Sequence, residues 1–190
     1  ENANIRIGDT VVVFAQGPIG LCATAGARLL GATTIIAVDG NDHRLGIAQK
    51  MGADVTLNFK NCDVIDEIMK ITGGRGADSA IEALGTQATF ESALRCIKPG
   101  GTLSSLGVYS EDLKIPLSAF AAGLGDHKIN TALCPGGKER MRRLMNVLAS
   151  NRLDLGLLVT HQYKLDDIVA AYDLFAHQRD GVLKVAIKPQ

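Results

Sequence analysis

Across residues 10–106 the sequence alternates between short runs rich in β-branched residues and stretches with apolar residues at helical spacing, joined by brief polar or glycine-bearing connections. Residues 10–14, 34–38, 55–58, 78–83 and 102–106 read as strands. Residues 19–30, 43–51, 63–72 and 86–97 read as the helices between them. Strands that are continuous apolar runs, such as Thr10-Val11-Val12-Val13-Phe14, are buried on both faces, as in a parallel sheet. Right-handed crossovers with a chain reversal after the third strand make this a doubly wound α/β fold of the Rossmann type. Beyond Gly107 the rhythm loosens. Residues 128–133 read as a sixth strand, 138–150 as a basic amphipathic helix, 166–177 as a further helix and 183–188 as a last strand. The expected organisation is a Rossmann domain over residues 1–133. A C-terminal helix-and-strand appendage over 134–190 is too short to bury a core of its own.

The first strand-to-helix turn, Ala15-Gln16-Gly17-Pro18-Ile19-Gly20, has the spacing of a dinucleotide fingerprint, with Ala15 where a first glycine usually stands. Gly17 would let the backbone approach a pyrophosphate, because a Cβ there holds a ligand off. Pro18 suits the opening position of a helix, where its missing N–H costs nothing. Gly20 starts a small-residue stripe with Ala23, Thr24 and Ala27, which lets the helix lie close to the sheet and aim its N-terminal amides at phosphate oxygens. Asp39 ends the second strand nineteen residues after Gly20, where a carboxylate accepts the ribose hydroxyls of an adenosine. Each feature has a plainer use. A glycine turn closes a tight bend without any ligand, and Asp39 and Asp42 are both suited to a helix N-terminus. Together they point to a cofactor site. A 2′-phosphate beside Asp39 would meet about 1–4 kcal/mol of repulsion at ~4 Å, so NAD is expected in preference to NADP. Arg44 either covers the adenosine ribose edge or is a solvated helix charge.

Enzymes that bind S-adenosylmethionine share this pattern, and Lys98-Pro99-Gly100-Gly101 would suit one. Such enzymes usually place an acid at the end of the first strand to hold the methionine end, where this chain has Val13-Phe14-Ala15. Charge removes other classes: 20 Lys and Arg balance 20 Asp and Glu, leaving no bulk field for nucleic acid or anionic lipid. No run of apolar residues is long enough to span a membrane. Cys22, Cys62, Cys96 and Cys134 lie 40, 34 and 38 residues apart with no Cys-x-x-Cys, which excludes a zinc knuckle and a disulfide framework. Isolated thiols suit a reducing, cytoplasmic setting.

The segments Ile7-Gly8-Asp9-Thr10-Val11-Val12-Val13, Gly17-Pro18-Ile19-Gly20-Leu21, Gly31-Ala32 and Val38-Asp39 resemble the cofactor half of medium-chain zinc alcohol dehydrogenases. Residues 48–54, Lys98-Pro99-Gly100-Gly101 and Gly181-Val182-Leu183-Lys184 continue the likeness over essentially the whole chain. Leu133-Cys134-Pro135-Gly136-Gly137 is similar to the tetrameric secondary-alcohol branch, which typically uses NADP and has no acid after the second strand; Asp39 departs from it. The resemblance implies that Ile19 packs behind the nicotinamide and that Ala83 and Leu84 flank the adenosine half. It also implies that Leu106, Gly107 and Val108 offer backbone groups to the carboxamide, with Cys134 near the same ring. Lys184 would reach the pyrophosphate.

The family's catalytic zinc ligands and its Gly-His-Glu motif would lie upstream of Glu1, and His43, His127, His161 and His177 are not clustered with Cys or Asp at ligand spacing. No catalytic or metal residue is therefore expected in this chain. It reads as a piece of a longer enzyme that passes a hydride between an alcohol or ketone and NAD, with zinc held elsewhere. A truncated, non-catalytic nucleotide-binding or oligomerisation module is the alternative. The resemblance also implies a homodimer or tetramer, paired through a sheet edge near residues 102–108.

Overall fold

A computed structural model describes residues 1–189. Six strands form one parallel sheet: β1 (Thr10–Phe14), β2 (Thr34–Asp39), β3 (Val55–Asn58), β4 (Ala77–Glu82), β5 (Ile97–Ser105) and β6 (Lys128–Thr131). Their order is β3-β2-β1-β4-β5-β6. The chain therefore builds outward from β1 in one direction, returns to its other side, and builds outward again, which is the doubly wound arrangement. Val11, Val12 and Val13 are all fully buried, as are Ile35, Ile36 and Ala37 on β2. Burying each such Val or Ile contributes about 1.5–3 kcal/mol, and helices on both faces explain why no polar residue interrupts these runs.

Four helices connect the strands: α1 (Pro18–Leu29), α2 (Asp42–Lys50), α3 (Val64–Ile71) and α4 (Gln87–Arg95). Asn41 caps α2 by accepting from the amides of His43 and Arg44, Asp63 caps α3, and Thr86 caps α4. The first helix differs: Gly17 is its N-cap, Pro18 opens it, and no side chain caps it.

Contacts divide the chain into two compact units, Glu1–Gly136 and a second from Gly137 onward. The division falls within Cys134-Pro135-Gly136-Gly137, just beyond the boundary expected at Leu133. The second unit holds α5 (Lys138–Ala149), β7 (Val159–Lys164), α6 (Ile168–Ala176) and β8 (Lys184–Lys188), with β7 and β8 paired in parallel. Strand β7 was not expected; its half-buried Thr160, His161 and Tyr163 lack a continuous apolar run.

Two further expectations need correction. Strand β5 starts at Ile97 and includes the Pro99-Gly100-Gly101 turn, where its pairing with β4 shifts register. Residues 102–108 are also not a sheet edge, because the chain loops out after Ser105 and returns as β6, which pairs with β5 from Thr102 to Ser105. The exposed edge on that side of the sheet is β6.

Candidate functional site

Open parallel sheets bind ligands in the crevice beyond the C-terminal ends of the strands where the strand order reverses. Here the reversal lies between β1 and β4, and the first turn and the ends of β2, β4 and β5 lie at that end of the sheet. Ala15 enters the turn at φ +69°, a left-handed conformation that costs an alanine about 1–2 kcal/mol and explains the usual glycine. The two later glycines serve different ends. A Cβ on Gly20 would lie 1.7 Å from the Ala15 carbonyl oxygen, so the bend itself excludes any other residue. A Cβ on Gly17 would meet nothing within 4 Å. Protein packing therefore gives no reason for Gly17 to lack a side chain, and the space in front of it is open.

Gln16 and Asp39 brace this turn. Gln16 is fully buried, donates from Nε2 to the Val13 carbonyl at 2.9 Å, and accepts from the Thr24 hydroxyl at 2.9 Å. The Gln16 amide donates to Asp39 Oδ2 at 2.6 Å, and the Asn41 amide donates to Asp39 Oδ1 at 2.9 Å. Each carboxylate oxygen has two lone-pair sites, so these bonds fix the orientation of Asp39 and leave acceptor capacity on both oxygens. The ring of Phe59 lies against Gly40, where a Cβ would come within 2.4 Å of it.

The opposite wall is built from residues 83–85 after β4 and 106–109 after β5. Glu82, the last residue of β4, is fully buried beneath both. Its Oε1 accepts from the amides of Leu84 (2.8 Å) and Gly85 (2.7 Å) and from the Thr89 hydroxyl (2.8 Å). Its Oε2 accepts from the Tyr109 hydroxyl (2.7 Å) and the Ser105 hydroxyl (3.3 Å). Burial by itself would raise the carboxyl's pKa, but bonds from Gly85, Tyr109, Thr89 and Leu84 outweigh it and hold the group below its ordinary value. Burial pushes the Tyr109 phenol in the opposite sense, upward. The two segments touch: a Cβ on Gly107 would lie 2.3 Å from the Gly85 amide nitrogen, and one on Gly85 would lie 2.4 Å from the Val108 carbonyl oxygen.

Of the residues singled out from sequence, Gly17, Pro18, Ile19, Gly20 and Asp39 gather at the first turn, and Ala83, Leu84, Leu106, Gly107 and Val108 form the facing wall. Ile19, Leu84 and Val108 are exposed, as apolar groups awaiting a ligand or another chain segment would be. Arg44 is half-buried in the first turn of α2. Cys134 is exposed near the end of the first unit, and Lys184 is exposed at the start of β8 in the second. Gln16, Phe59, Glu82 and Tyr109 were missed. A charged residue ending an apolar strand, as in Ala80-Ile81-Glu82, was the available signal for Glu82. A shallow cavity of about 440 Å³ lies along α2 and β3, lined by Asp42, Leu45, Gln49, Asn58 and Cys62 among others, and none of the turn glycines lines it. Among the described residues no three His, Cys, Asp or Glu side chains are placed to hold a metal ion.

A six-stranded parallel sheet in this order, with a glycine turn and an acid at its switch point, defines a doubly wound Rossmann domain. Sequence comparison then gives the family: residues 18–150 match the model of the zinc-binding dehydrogenases, and the chain belongs to that family. It is 85% identical over 189 residues to an alcohol dehydrogenase of Cupriavidus necator, covering all of this chain and 52% of that protein. It is 36% identical to an NADP-dependent isopropanol dehydrogenase of Thermoanaerobacter brockii, covering 98% of this chain and 54% of the relative. Among solved structures, zinc dependent alcohol dehydrogenase 2 from Streptococcus pneumonia matches with a TM-score of 0.90 at 32% identity, over 98% of this chain and 53% of that one. The chain thus spans about half the length of the curated relatives it matches. This membership leaves the S-adenosylmethionine alternative without support.

Proposed function

We propose that this chain binds the nicotinamide dinucleotide of an enzyme that interconverts small alcohols and ketones, and that the dinucleotide is NAD. The observation that carries the first part is the open space at Gly17, at the uncapped N-terminus of α1, beside a turn held rigid by Gln16 and Gly20. A helix N-terminus with free amides and no intervening Cβ suits a pyrophosphate. Asp39 would accept the adenosine ribose hydroxyls, Ala83 and Leu84 would flank the adenosine half, and Ile19 with the 106–108 backbone would receive the nicotinamide. When bound, the dinucleotide supplies a hydride acceptor or donor. The residues of this chain would orient it and cover its apolar faces. Zinc does not fit any group of the described residues, so no role for the metal is assigned to them. Family membership and the likeness to alcohol dehydrogenases support the substrate class. Reduced cysteines at Cys22, Cys62, Cys96 and Cys134 support a cytoplasmic setting. No helix among the described residues is long and apolar enough to cross a membrane.

Three relatives at 36% identity are named as NADP-dependent, and Asp39 is the reason to read this chain differently. Its carboxylate is buried and oriented by two backbone amides, so it cannot swing aside to admit a 2′-phosphate without breaking both bonds. Calorimetric titration of the protein with NAD and NADP tests this. NAD should bind at least about fivefold more tightly, the low end of the repulsion between such charges. Equal or reversed affinities would contradict the NAD assignment, and binding of neither would contradict the dinucleotide reading as a whole.

A further inference from the structure

We infer that Glu82 is a positioning residue that couples the two halves of the cofactor crevice, an inference that rests on the dinucleotide reading above. The two segments it holds would face different parts of the ligand. Residues 83–85 follow β4 and would flank the adenosine half, while residues 106–109 follow β5 and would receive the nicotinamide half. No ion pair to either segment is needed, because one carboxylate grips both. Oε1 takes the amides of Leu84 and Gly85 and the Thr89 hydroxyl, and Oε2 takes the hydroxyls of Tyr109 and Ser105. The Tyr109 and Ser105 hydroxyls are themselves 2.7 Å apart, which closes the network on the β5 side. The Leu106 amide also donates to the Glu82 carbonyl at 2.8 Å, so backbone and side chain of the same residue hold both ends of the 106–109 segment.

Several features single this group out from an ordinary buried acid. Its side chain lies at the base of the crevice wall, with Gly107 so close that a Cβ there would come within 2.5 Å of Oε2. The segments above it present exposed Leu84 and Val108, the apolar residues that would contact a ligand. Tyr109 is in turn set by an edge-to-face contact with Phe90 of α4, its ring centroid 6.1 Å away at 86°. Thr89 and Phe90 are successive residues of α4, so both arms of the carboxylate are referred to the same helix. A shift of the 106–109 segment is thereby transmitted through Oε2 and Oε1 to residues 84–85. Binding at one half of the crevice fixes the wall at the other.

Tyr109→Phe cuts the stronger β5-side bond while keeping the ring against Phe90. It should weaken NAD by about fivefold or more, part of what a hydrogen bond to a buried charge contributes, and leave AMP within about twofold. Glu82→Gln should rescue: its carbonyl can keep the Leu84, Gly85 and Thr89 donors, and its NH₂ can donate to the two hydroxyls, so NAD should stay within about threefold of wild type. Ser105→Ala, which removes the longer bond, should act in the same direction as Tyr109→Phe and more weakly. Melting curves on each variant separate binding loss from unfolding. If Tyr109→Phe leaves NAD within about twofold, or weakens AMP as much as NAD, the coupling is wrong. If Glu82→Gln fails to rescue, hydrogen-bond positioning is wrong. A wild-type protein that binds no dinucleotide would instead overturn the reading on which this one rests.

Discussion

Asp39 shows how much a single side chain does in this turn. It is both a brace for the turn and the proposed acceptor for ribose hydroxyls, so its replacement should have two separable effects. Asp39→Gly removes the repulsive charge and should shift the NAD-to-NADP affinity ratio toward NADP by about fivefold or more. It also strands the amide of Gln16, a residue with no solvent exposure, which costs about 1–3 kcal/mol and should lower the melting temperature. Paired titrations and thermal melts read the two effects independently. An unchanged ratio with a lowered melting temperature would leave Asp39 as a brace alone. The turn glycines and Asp39 were legible from sequence because spacing along one strand-turn-helix-strand unit brings them together. Gln16 was not, since a glutamine in a turn reads as solvated until Thr24 and Val13 are seen to satisfy it.

At the scale of elements, β1 and β2 were legible because burial on both faces leaves a continuous apolar run, and the helices between strands because apolar residues recur at helical spacing. The side chains that cap them, Asn41 and Asp63, emerge only in the structure. What pairing brings together was not legible either. Tyr109 lies 27 residues from Glu82 and meets it only because β5 runs beside β4. The β6 strand, itself expected at residues 128–133, pairs along β5 from Thr102 to Ser105 and so covers the edge expected there from sequence. Two carboxylates tie β4 to its neighbours: Glu82 at its C-terminal end and Asp78 near its start. Asp78 accepts from the Thr10 amide and pairs with Lys98, which overcomes the upward pull of its partial burial and lowers its pKa. Both groups thus have folded-state pKa values below their ordinary 4.5 and 3.8. Their contribution is complete above those values and is lost as pH falls through the lower, folded-state ones. The melting temperature should therefore drop on acidification below pH 4.5. Glu82→Gln, which cannot titrate, should show a shallower drop. An acid limb of identical slope in the variant would remove Glu82 from this account.

For the molecule as a whole, the sheet sets up a crevice whose walls are held from beneath by buried polar side chains, Gln16 and Asp39 on one side and Glu82 with Tyr109 on the other. The two glycines of the turn separate what the fold needs from what a ligand needs. Gly20 is required by the bend, where an added Cβ meets a carbonyl oxygen at 1.7 Å. Gly17 has an extended backbone at φ −70° and open space around it, so an alanine there fits the folded chain. The most direct test of the central claim is NAD titration of Gly17→Ala beside its melting curve. The melting temperature should be unchanged or slightly raised, by up to about 1 kcal/mol of stability, because alanine has less freedom to lose on folding. NAD affinity should fall by about tenfold or more, because the new methyl group occupies the approach to the pyrophosphate. An unchanged affinity in a stable variant would mean that no dinucleotide sits at this turn.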